Sequence, residues 1–478
     1  PMPVSVRYKP STAFANLGPE FSDPGTPGRF PQHILRRRNQ IWAARVGLDT
    51  LSAEEWERSF AAFAPLPRNM PSPRAMRYHG HQFRNYNPDI GDGRGFLYAQ
   101  LHDDAGRLLD LATKGSGQTP YSRTADGRLT LKGGVREVLA AEMLEAQGVY
   151  TSKAFSLFET GEALVRGDEP SPTRSSVLTR LSHSHIRFGS FQRHAFFERP
   201  DLMRTLLEHV AEHYAPEARD ADELAAGVLL HAVREVARLA ASWMAAGFVH
   251  GVLNTDNLTI TGESFDYGPW RFVPVSDPSF TAAYFDETGL YAFARQPEAV
   301  SWALAQLGSA LTLVCPVPPL EAALAEFLPA YQNGLRTQVL RRLGLAETEL
   351  EPDLEFLQTM FNWMTESQVS WDQFFHDWFC ADAARAAASP EAARYTDAGF
   401  APVRDGIEKR GPVRAERLRH PYFQRAAPAS LVIEEVETLW AAIAERDDWS
   451  LFEAKLAAIA DMRDALSISC HQSVVAGA

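Results

Sequence analysis

The chain has 478 residues, of which 47 are Lys or Arg and 60 are Asp or Glu, giving a formal net charge of −13 at pH 7. This acidic balance argues against a protein that coats nucleic acid or anionic membranes, because such binding needs a surface excess of positive charge. The three cysteines are too few for a disulfide framework. The sequence contains no uninterrupted run of about 18 apolar residues, which is the length needed to span a membrane. We therefore expect a soluble cytoplasmic protein without nucleic-acid or membrane partners.

Residues 1–70 are predicted to form an N-terminal extension. The start is rich in proline and glycine and indicates an extended lead-in, after which the spacing predicts helices over 31–46 and 52–63. Ser52, followed three residues later by Glu55, has the pattern of a capping box and supports the start of the second helix.

Residues 71–168 contain short runs bounded by glycines, which predict a β-rich lobe. Two strands are joined by the Asp-Asp-Ala-Gly turn at 103–106, and Lys114 ends the second strand. A single helix follows, in which apolar residues recur at three- to four-residue spacing around Glu137.

Helical periodicity dominates the rest of the chain. We assign 169–345 to a helical lobe and 346–478 to additional C-terminal helices, with helical spacing running across 320–344. The segment 249–280 interrupts the helical lobe with turns and short alternating runs. Together the segments predict an α+β fold.

A glycine-rich turn precedes the two strands and contains Gly91 and Gly93. Alone, this cluster is typical of a hairpin turn, because glycine supplies the positive φ values that turns need. Lys114 and Glu137 lie further along, 23 residues apart. A strand lysine held by a helix glutamate is the arrangement with which protein kinases contact nucleotide phosphates.

The interruption at 249–280 carries the second half of a kinase-like pattern. His250 begins a loop in which Asn257 follows seven residues later, and Asp266 opens an Asp-Tyr-Gly sequence further on. In protein kinases an asparagine and an aspartate in this layout hold Mg²⁺. The position of the usual kinase base is occupied by Val252, which cannot accept a proton.

The lack of a proton-accepting side chain at Val252 limits the chemistry, because a kinase without its base should transfer a γ-phosphoryl group poorly. The lysine, the glutamate and the metal-binding pair could still hold a nucleotide. Asp256 offers a displaced carboxylate that could orient or deprotonate a hydroxyl. Arg180 and Arg187 fall between the β-rich unit and the helices, where a pair of guanidiniums suits phosphate binding.

These segments resemble the selenoprotein O family, called YdiU in bacteria, whose members have a protein-kinase-like fold and act as protein adenylyltransferases. The similarity runs from about residue 30 to the helical C-terminus. The motifs that carry it are YHGHQF at 78–83, GDGR at 91–94, KG at 114–115, TPYSR at 119–123, ADGR at 125–128, RE at 136–137, RFG at 187–189 and HGVLNTDNLTITGESFDYGPW at 250–270.

The resemblance implies a two-lobed fold with a β-rich N-lobe, a helical C-lobe and a nucleotide site between them. It implies that Glu137 positions Lys114, that Asn257 and Asp266 bind Mg²⁺ or Mn²⁺, and that Asp256 is the proton acceptor. The ATP-binding residues that it implies are Gly91, Gly93, Arg94, Lys114, Asp126, Gly127, Arg180, Arg187 and Asp266, with Lys114, Arg94, Asp126, Gly127, Arg180 and Arg187 at the phosphates.

In this family the nucleotide binds in a flipped orientation, so that the usual kinase base is dispensable. The implied reaction, AMPylation, is in-line attack by a Ser, Thr or Tyr hydroxyl of a protein on the α-phosphorus of ATP, with pyrophosphate leaving. Two alternatives stay open. One is transfer of UMP from UTP with Mn²⁺ on the same fold, and the other is a non-catalytic pseudokinase that binds nucleotide as a scaffold.

Several positions depart from the family pattern and indicate a divergent bacterial-type branch without selenocysteine. They include His79, Arg84, Lys132 and Arg295, and none of them removes a proposed catalytic group. Some family members carry a cysteine after the Asp-Tyr-Gly sequence that pairs with one near the C-terminus. That cysteine is missing here, so we expect no disulfide at Cys470, and we expect a monomer.

Overall fold

The computed structural model describes residues 4–466, and Cys470 lies outside them. Within this range the strands form one nine-stranded antiparallel sheet and two small two-stranded pairings. The strands are β1 (Lys9–Ser11), β2 (Ser22–Pro24), β3 (Ile34–Arg38), β4 (Arg74–Met76), β5 (Gly80–Gln82), β6 (Asn85–Asn87), β7 (Leu97–His102), β8 (Leu108–Lys114), β9 (Leu129–Thr130), β10 (Lys153–Leu164), β11 (Thr173–Ser182), β12 (Phe248–Val249) and β13 (Arg271–Phe272).

The α-helices fall into three groups along the chain. Those associated with the sheet are α1 (Gln40–Arg45), α2 (Ala53–Phe60) and α3 (Leu131–Ala146). Those of the helical lobe are α4 (Phe188–Phe196), α5 (Pro200–His213), α6 (Leu224–Ala246), α7 (Gln296–Leu311), α8 (Val317–Ala325) and α9 (Phe327–Arg342). The C-terminal ones are α10 (Leu350–Ser367), α11 (Trp371–Asp377), α12 (Ala383–Ala387), α13 (Ala392–Tyr395), α14 (Ala401–Lys409), α15 (Ile433–Arg446) and α16 (Ser450–Leu466).

Helices cover both faces of the large sheet, whose main strand order is β2-β4-β7-β8-β11-β10-β3. On one face, Val135 of α3 shares a buried core with Leu178 of β11. On the other face, Trp56 of α2 stacks on Phe155 of β10 with 5.1 Å between ring centroids. Within β11 itself, Leu178 belongs to the first core and its neighbour Val177 to the second, because the pleat points successive side chains to opposite faces.

The local features predicted for the first half of the chain are largely present. Ser52 and Glu55 form both hydrogen bonds of a capping box at the start of α2. The predicted hairpin is β7 and β8, Lys114 ends β8, and α3 carries Glu137.

The helix predicted over 31–46 is wrong in its first part. Residues 34–38 form β3, which pairs with β10, and α1 begins only after Asn39, whose side chain accepts a hydrogen bond from Trp42 N. Arg36 donates to Glu159 of β10 at 2.7 Å. Such contacts with a distant strand override the helical tendency of the local sequence.

The helical run over 320–344 is divided into α8 and α9. The division falls at Glu326, and Pro329 lies in the first turn of α9. Proline has no N–H to bond to the preceding turn, so it suits a helix start better than a helix interior.

The β-rich lobe extends beyond the predicted range 71–168 at both ends. Strand β11 lies after residue 168 and pairs with both β8 and β10, whereas β1 to β3 come from the predicted N-terminal extension. The serines of this strand are satisfied within the lobe, where Ser176 Oγ donates to Thr130 O at 2.9 Å. A buried hydroxyl with a hydrogen-bond partner is compatible with a central strand.

The C-terminal helices rest on α3 as well as on the helical lobe. Arg463 of α16 lies 3.4 Å from Glu142 of α3, and Lys132 of α3 lies 3.0 Å from Glu437 of α15. The architecture is thus an α+β fold with a β-rich lobe, a helical lobe and additional C-terminal helices, as predicted. In the part of the chain described, no helix combines the length and apolarity needed to cross a membrane.

Helix α4 begins in direct contact with the segment that precedes β5. His79 N donates to Gly189 O at 3.0 Å. A Cβ atom on Gly189 would lie 1.8 Å from His79 O, so only glycine allows this approach.

We predict that Gly189→Ala lowers the free energy of unfolding by about 1–3 kcal/mol, because the added methyl group forces helix and strand apart. Chemical denaturation of the full chain measures the change. Gly411→Ala is the matched control, since a Cβ atom there would meet no atom within 4 Å. Equal stability of the two variants would contradict the close approach.

Candidate active site

A cavity of about 770 Å³ opens where the β-rich lobe meets the helical lobe. Glu137 and Asn257 lie just behind its wall, in contact with residues that line it. The remaining predicted site residues line the cavity itself: Gly91, Gly93, Arg94, Lys114, Asp126, Gly127, Arg180, Arg187, Asp256 and Asp266.

The predicted pairing of Lys114 with Glu137 is present. Lys114 Nζ donates to Glu137 Oε1 at 2.5 Å, and both side chains are buried. Lys114 Nζ also lies 3.2 Å from Asp266 Oδ1. The helix glutamate therefore holds the strand lysine at the cavity wall, with the Asp-Tyr-Gly aspartate as its second partner.

The loop from His250 to Asp266 has the connections expected of a kinase-like catalytic loop. His250 Nε2 donates to Phe265 O at 2.8 Å, and burial lowers the pKa of the imidazole. Asn257 Nδ2 donates to Asp266 Oδ2 at 2.9 Å. Asp266 has a φ of +65°, a conformation uncommon outside glycine, which turns its carboxylate toward the lysine. The lysine, the loop and the aspartate therefore lie together, as the kinase-like pattern predicts.

Positive charges surround the carboxylate of Asp266. Burial alone would raise its pKa, but Lys114, Arg180, Arg187 and Arg94 outweigh that effect and hold the pKa well below its ordinary value. Arg180 Nη1 lies 3.4 Å from Asp266 Oδ1. Asp266 is therefore ionised, which is the state in which a carboxylate binds a divalent cation.

Arg187 is a buried guanidinium held between aromatic rings. Its Cζ atom lies 4.2 Å from the ring centroid of Tyr78 and 5.1 Å from that of Phe265. Its Nη1 atom lies 3.4 Å from Asp92 Oδ1, whereas Nε has no hydrogen-bond partner among the described residues. Nε of Arg180 is likewise without a partner there. Buried donors of this kind suit an anionic ligand, because leaving them unpaired is costly.

Asp256 lies at the cavity with one carboxylate oxygen unused. Its Oδ1 atom is buried and has no hydrogen-bond partner within the described chain. Burial raises the pKa of Asp256 to about 7, against the lowering effect of the Arg187 charge. Val252 is half-buried beside the hydrophobic core and does not line the cavity, whereas Asp256 does.

Asn257 and Asp266 offer an amide and a carboxylate, both suitable oxygen donors for Mg²⁺ or Mn²⁺. Among residues 4–466, no three His, Cys, Asp or Glu side chains gather into a group that could hold a metal ion. A cation at this pair would therefore take its remaining ligands from phosphate oxygens and water, which is the usual manner of Mg²⁺ in nucleotide sites.

Asp126 lines the cavity, but charge does not suit it to contact phosphates. Arg166 holds its carboxylate through two hydrogen bonds of 2.8 and 3.0 Å. An anionic carboxylate repels phosphate oxygens but can accept from N–H and O–H groups of a nucleotide base or sugar. The phosphate contact that the resemblance implies for Asp126 stays a prediction.

The sequence reasoning did not assign several other residues that line the cavity. Most fall inside the motifs that carry the resemblance, so a signal for them existed, whereas Arg166 lies outside every such motif. These additional lining residues include Tyr78, Gln82, Asp92, Tyr121, Ser122, Arg123, Arg128 and Arg166.

One solved structure overlaps weakly with this chain. A kinase domain of a rhoptry antigen from Toxoplasma gondii aligns with a TM-score of 0.28 at 14% identity, covering 61% of this chain and 84% of that chain. An overlap of this size carries no argument, and the kinase-like arrangement rests on the residues described above.

Comparison of sequences is decisive. The family model described as protein adenylyltransferase SelO matches residues 4–460. The protein nucleotidyltransferase YdiU of Trichodesmium erythraeum is 43% identical over 477 residues, covering 96% of this chain and 99% of that protein. The protein of the same name from Trichormus variabilis is 47% identical, covering 78% of this chain and 76% of that protein. The chain therefore belongs to the SelO/YdiU family of protein nucleotidyltransferases.

Proposed function

We propose that this protein transfers AMP from ATP to Ser, Thr or Tyr hydroxyls of other proteins and releases pyrophosphate. The observation that carries the proposal is that the cavity lined by Lys114 and several arginines is also lined by Asp256, a carboxylate outside the usual position of the kinase base. The family description as an adenylyltransferase supports AMP as the transferred group. We further propose that the protein acts in the cytoplasm as a monomer.

The phosphates of ATP would be bound by the cations that converge on the cavity. Lys114, held by Glu137, would contact them together with Arg94, Arg180 and Arg187. Lys114, Arg180 and Arg187 are buried and in contact with carboxylates before the ligand arrives, so little reorganisation of these groups is needed when charge develops in the transition state. Asn257 and Asp266 would hold Mg²⁺ or Mn²⁺, which neutralises phosphate charge when bound.

Asp256 would act as the proton acceptor. The attacking hydroxyl loses its proton to the Asp256 carboxylate as its oxygen forms a bond to the α-phosphorus. The bond between that phosphorus and the oxygen bridging to the β-phosphate breaks, and pyrophosphate leaves. Val252 supports this assignment, because the usual kinase position offers no base and a flipped nucleotide would place the α-phosphate where a kinase places the γ-phosphate.

We predict that incubation with ATP labelled at the α-phosphate produces protein-bound label, and that Asp266→Ala reduces the labelling rate by about 100-fold or more, because the metal ligand is lost. Asp461→Ala, an exposed carboxylate in α16 paired with Arg425, is the control and should label normally. If label reaches protein only from γ-labelled ATP, the protein transfers a phosphoryl group and not AMP. If the protein binds nucleotide but transfers nothing, the alternative of a non-catalytic pseudokinase scaffold is favoured.

We also predict that Asp256→Asn lowers the rate of AMP transfer by about 100- to 10,000-fold, because an amide cannot accept the proton. Nucleotide affinity, measured by titration calorimetry, should stay within a few fold of the unchanged protein. A fully active Asp256→Asn variant would exclude this residue as the proton acceptor.

A panel of labelled nucleotides with Mg²⁺ and Mn²⁺ separates AMP transfer from UMP transfer. We expect α-labelled ATP to be the better donor with both metals. The ratio of kcat/KM values for ATP and UTP measures the preference. A higher value for UTP with Mn²⁺ would assign uridylyl transfer instead.

A further inference from the structure

The hairpin of β5 and β6 carries the sequence Gly80-His81-Gln82-Phe83, to which the proposed reaction gives no role. It lies against the loop of the proposed proton acceptor. His81 N donates to Thr255 Oγ1 at 2.7 Å, and Phe83 N donates to Asn254 Oδ1 at 2.9 Å. The hairpin backbone is thus bonded to the two residues directly before Asp256.

Thr255 forms a closed ring of hydrogen bonds with His81 and Gln192. Its hydroxyl accepts from His81 N and donates to Gln192 Oε1 of α4 at 2.6 Å. The Gln192 amide nitrogen in turn lies 2.8 Å from His81 Nδ1. Thr255 is 1% and Gln192 4% exposed, so water does not compete for the bond between these two side chains.

Gly80 brings the hairpin backbone directly against the Asp256 carboxylate. A Cβ atom at residue 80 would lie 2.7 Å from Asp256 Oδ1 and 3.2 Å from Asp256 Cβ. The carboxylate therefore cannot move toward the hairpin, because its Oδ1 atom is already buried against Gly80, and Asp256 is kept in the cavity wall.

The hairpin keeps this position although its turn is strained. Gln82 pairs with Asn85, so the turn consists of Phe83 and Arg84, with φ values of +49° and +64°. Such a turn normally requires glycine or asparagine. The Phe83 ring packs on Tyr291 at 5.0 Å between centroids, and strain of this kind persists where surrounding contacts hold it.

We propose that Thr255 is a positioning residue for Asp256, through which the hairpin and α4 hold the proton acceptor in place at the cavity. Orientation of a proton acceptor by neighbouring hydrogen bonds is a general requirement of acid–base catalysis. The proposal rests on the proposed function, since it assigns a support to the residue that accepts the proton there.

Thr255→Val tests the ring, because valine has nearly the same shape but neither donates nor accepts. We expect kcat for AMP transfer to fall by roughly 10- to 100-fold, as small misplacements of catalytic groups do, while KM for ATP changes less than twofold. Thr255→Ser, which keeps the hydroxyl, should restore most of the rate. A kcat unchanged in Thr255→Val would overturn the proposal.

The matched control is Thr160→Val. Thr160 is also buried and hydrogen-bonded through its hydroxyl, to Ser175, but lies in β10 outside the cavity. Its kcat should stay at the level of the unchanged protein, and an equal loss in both variants would reduce Thr255 to a structural role. If Thr255→Val does not fold, Gln192→Met breaks the same ring from α4 and is read by the same criteria.

Combining Thr255→Val with Asp256→Asn shows whether Thr255 acts through Asp256. We expect the double variant to be no slower than Asp256→Asn alone, because the group being positioned is already gone. Losses that multiply would place the action of Thr255 elsewhere and overturn the proposal.

Amide hydrogen exchange of 80–87 and 254–257 tests the support without any activity. Exchange there should become at least about tenfold faster in Thr255→Val and return to normal in Thr255→Ser, because the His81 N–H loses its acceptor. Unchanged exchange in Thr255→Val overturns the inference whatever the activity. If the unchanged protein transfers no AMP but exchange responds as expected, the proposed function fails and the hydrogen-bonded support of the Asp256 loop stands.

Discussion

The buried ion pair of Lys114 and Glu137 determines how the sheet, α3 and the C-terminal helices must fit together. Two charges out of water are tolerated only when each is held against the other. Lys114 is fixed by β8 and Glu137 by α3, so the pair exists only while that helix is docked on the sheet. Because Arg463 and Lys132 join α3 to the C-terminal helices, the far end of the chain also supports the nucleotide cavity.

The cavity concentrates positive charge within a chain that is acidic overall. Arg187 is fixed by Tyr78 and Phe265 rather than by a full set of carboxylates, so part of its hydrogen-bonding capacity stays unused. Asp266 partly balances the neighbouring cations in the structure described here. A polyanion with a bound cation would complete this balance, whereas a neutral ligand would leave buried donors unsatisfied.

The parts of the site that could be predicted from sequence depend on local spacing. Lys114 and Glu137 could be identified from the sequence because each occupies a position that its own strand or helix defines. Arg166 escaped because its partner Asp126 is 40 residues away and no local pattern connects them. Strand β11 escaped because its serines and threonines resemble a solvated loop until buried partners satisfy their hydroxyls. Long-range pairing of this kind is a property of the folded chain alone.

Strand β3, which the sequence analysis predicted as part of a helix, also hinders pairing of the sheet with strands of other molecules. β3 is the last strand at one end of the sheet and carries Arg36, Arg37 and Arg38. At the opposite end, β2 is three residues long and contains Pro24. An edge crowded with charge, or interrupted by proline, is a poor template for a strand from another molecule. The two ends of the main strand order therefore resist aggregation by sheet extension.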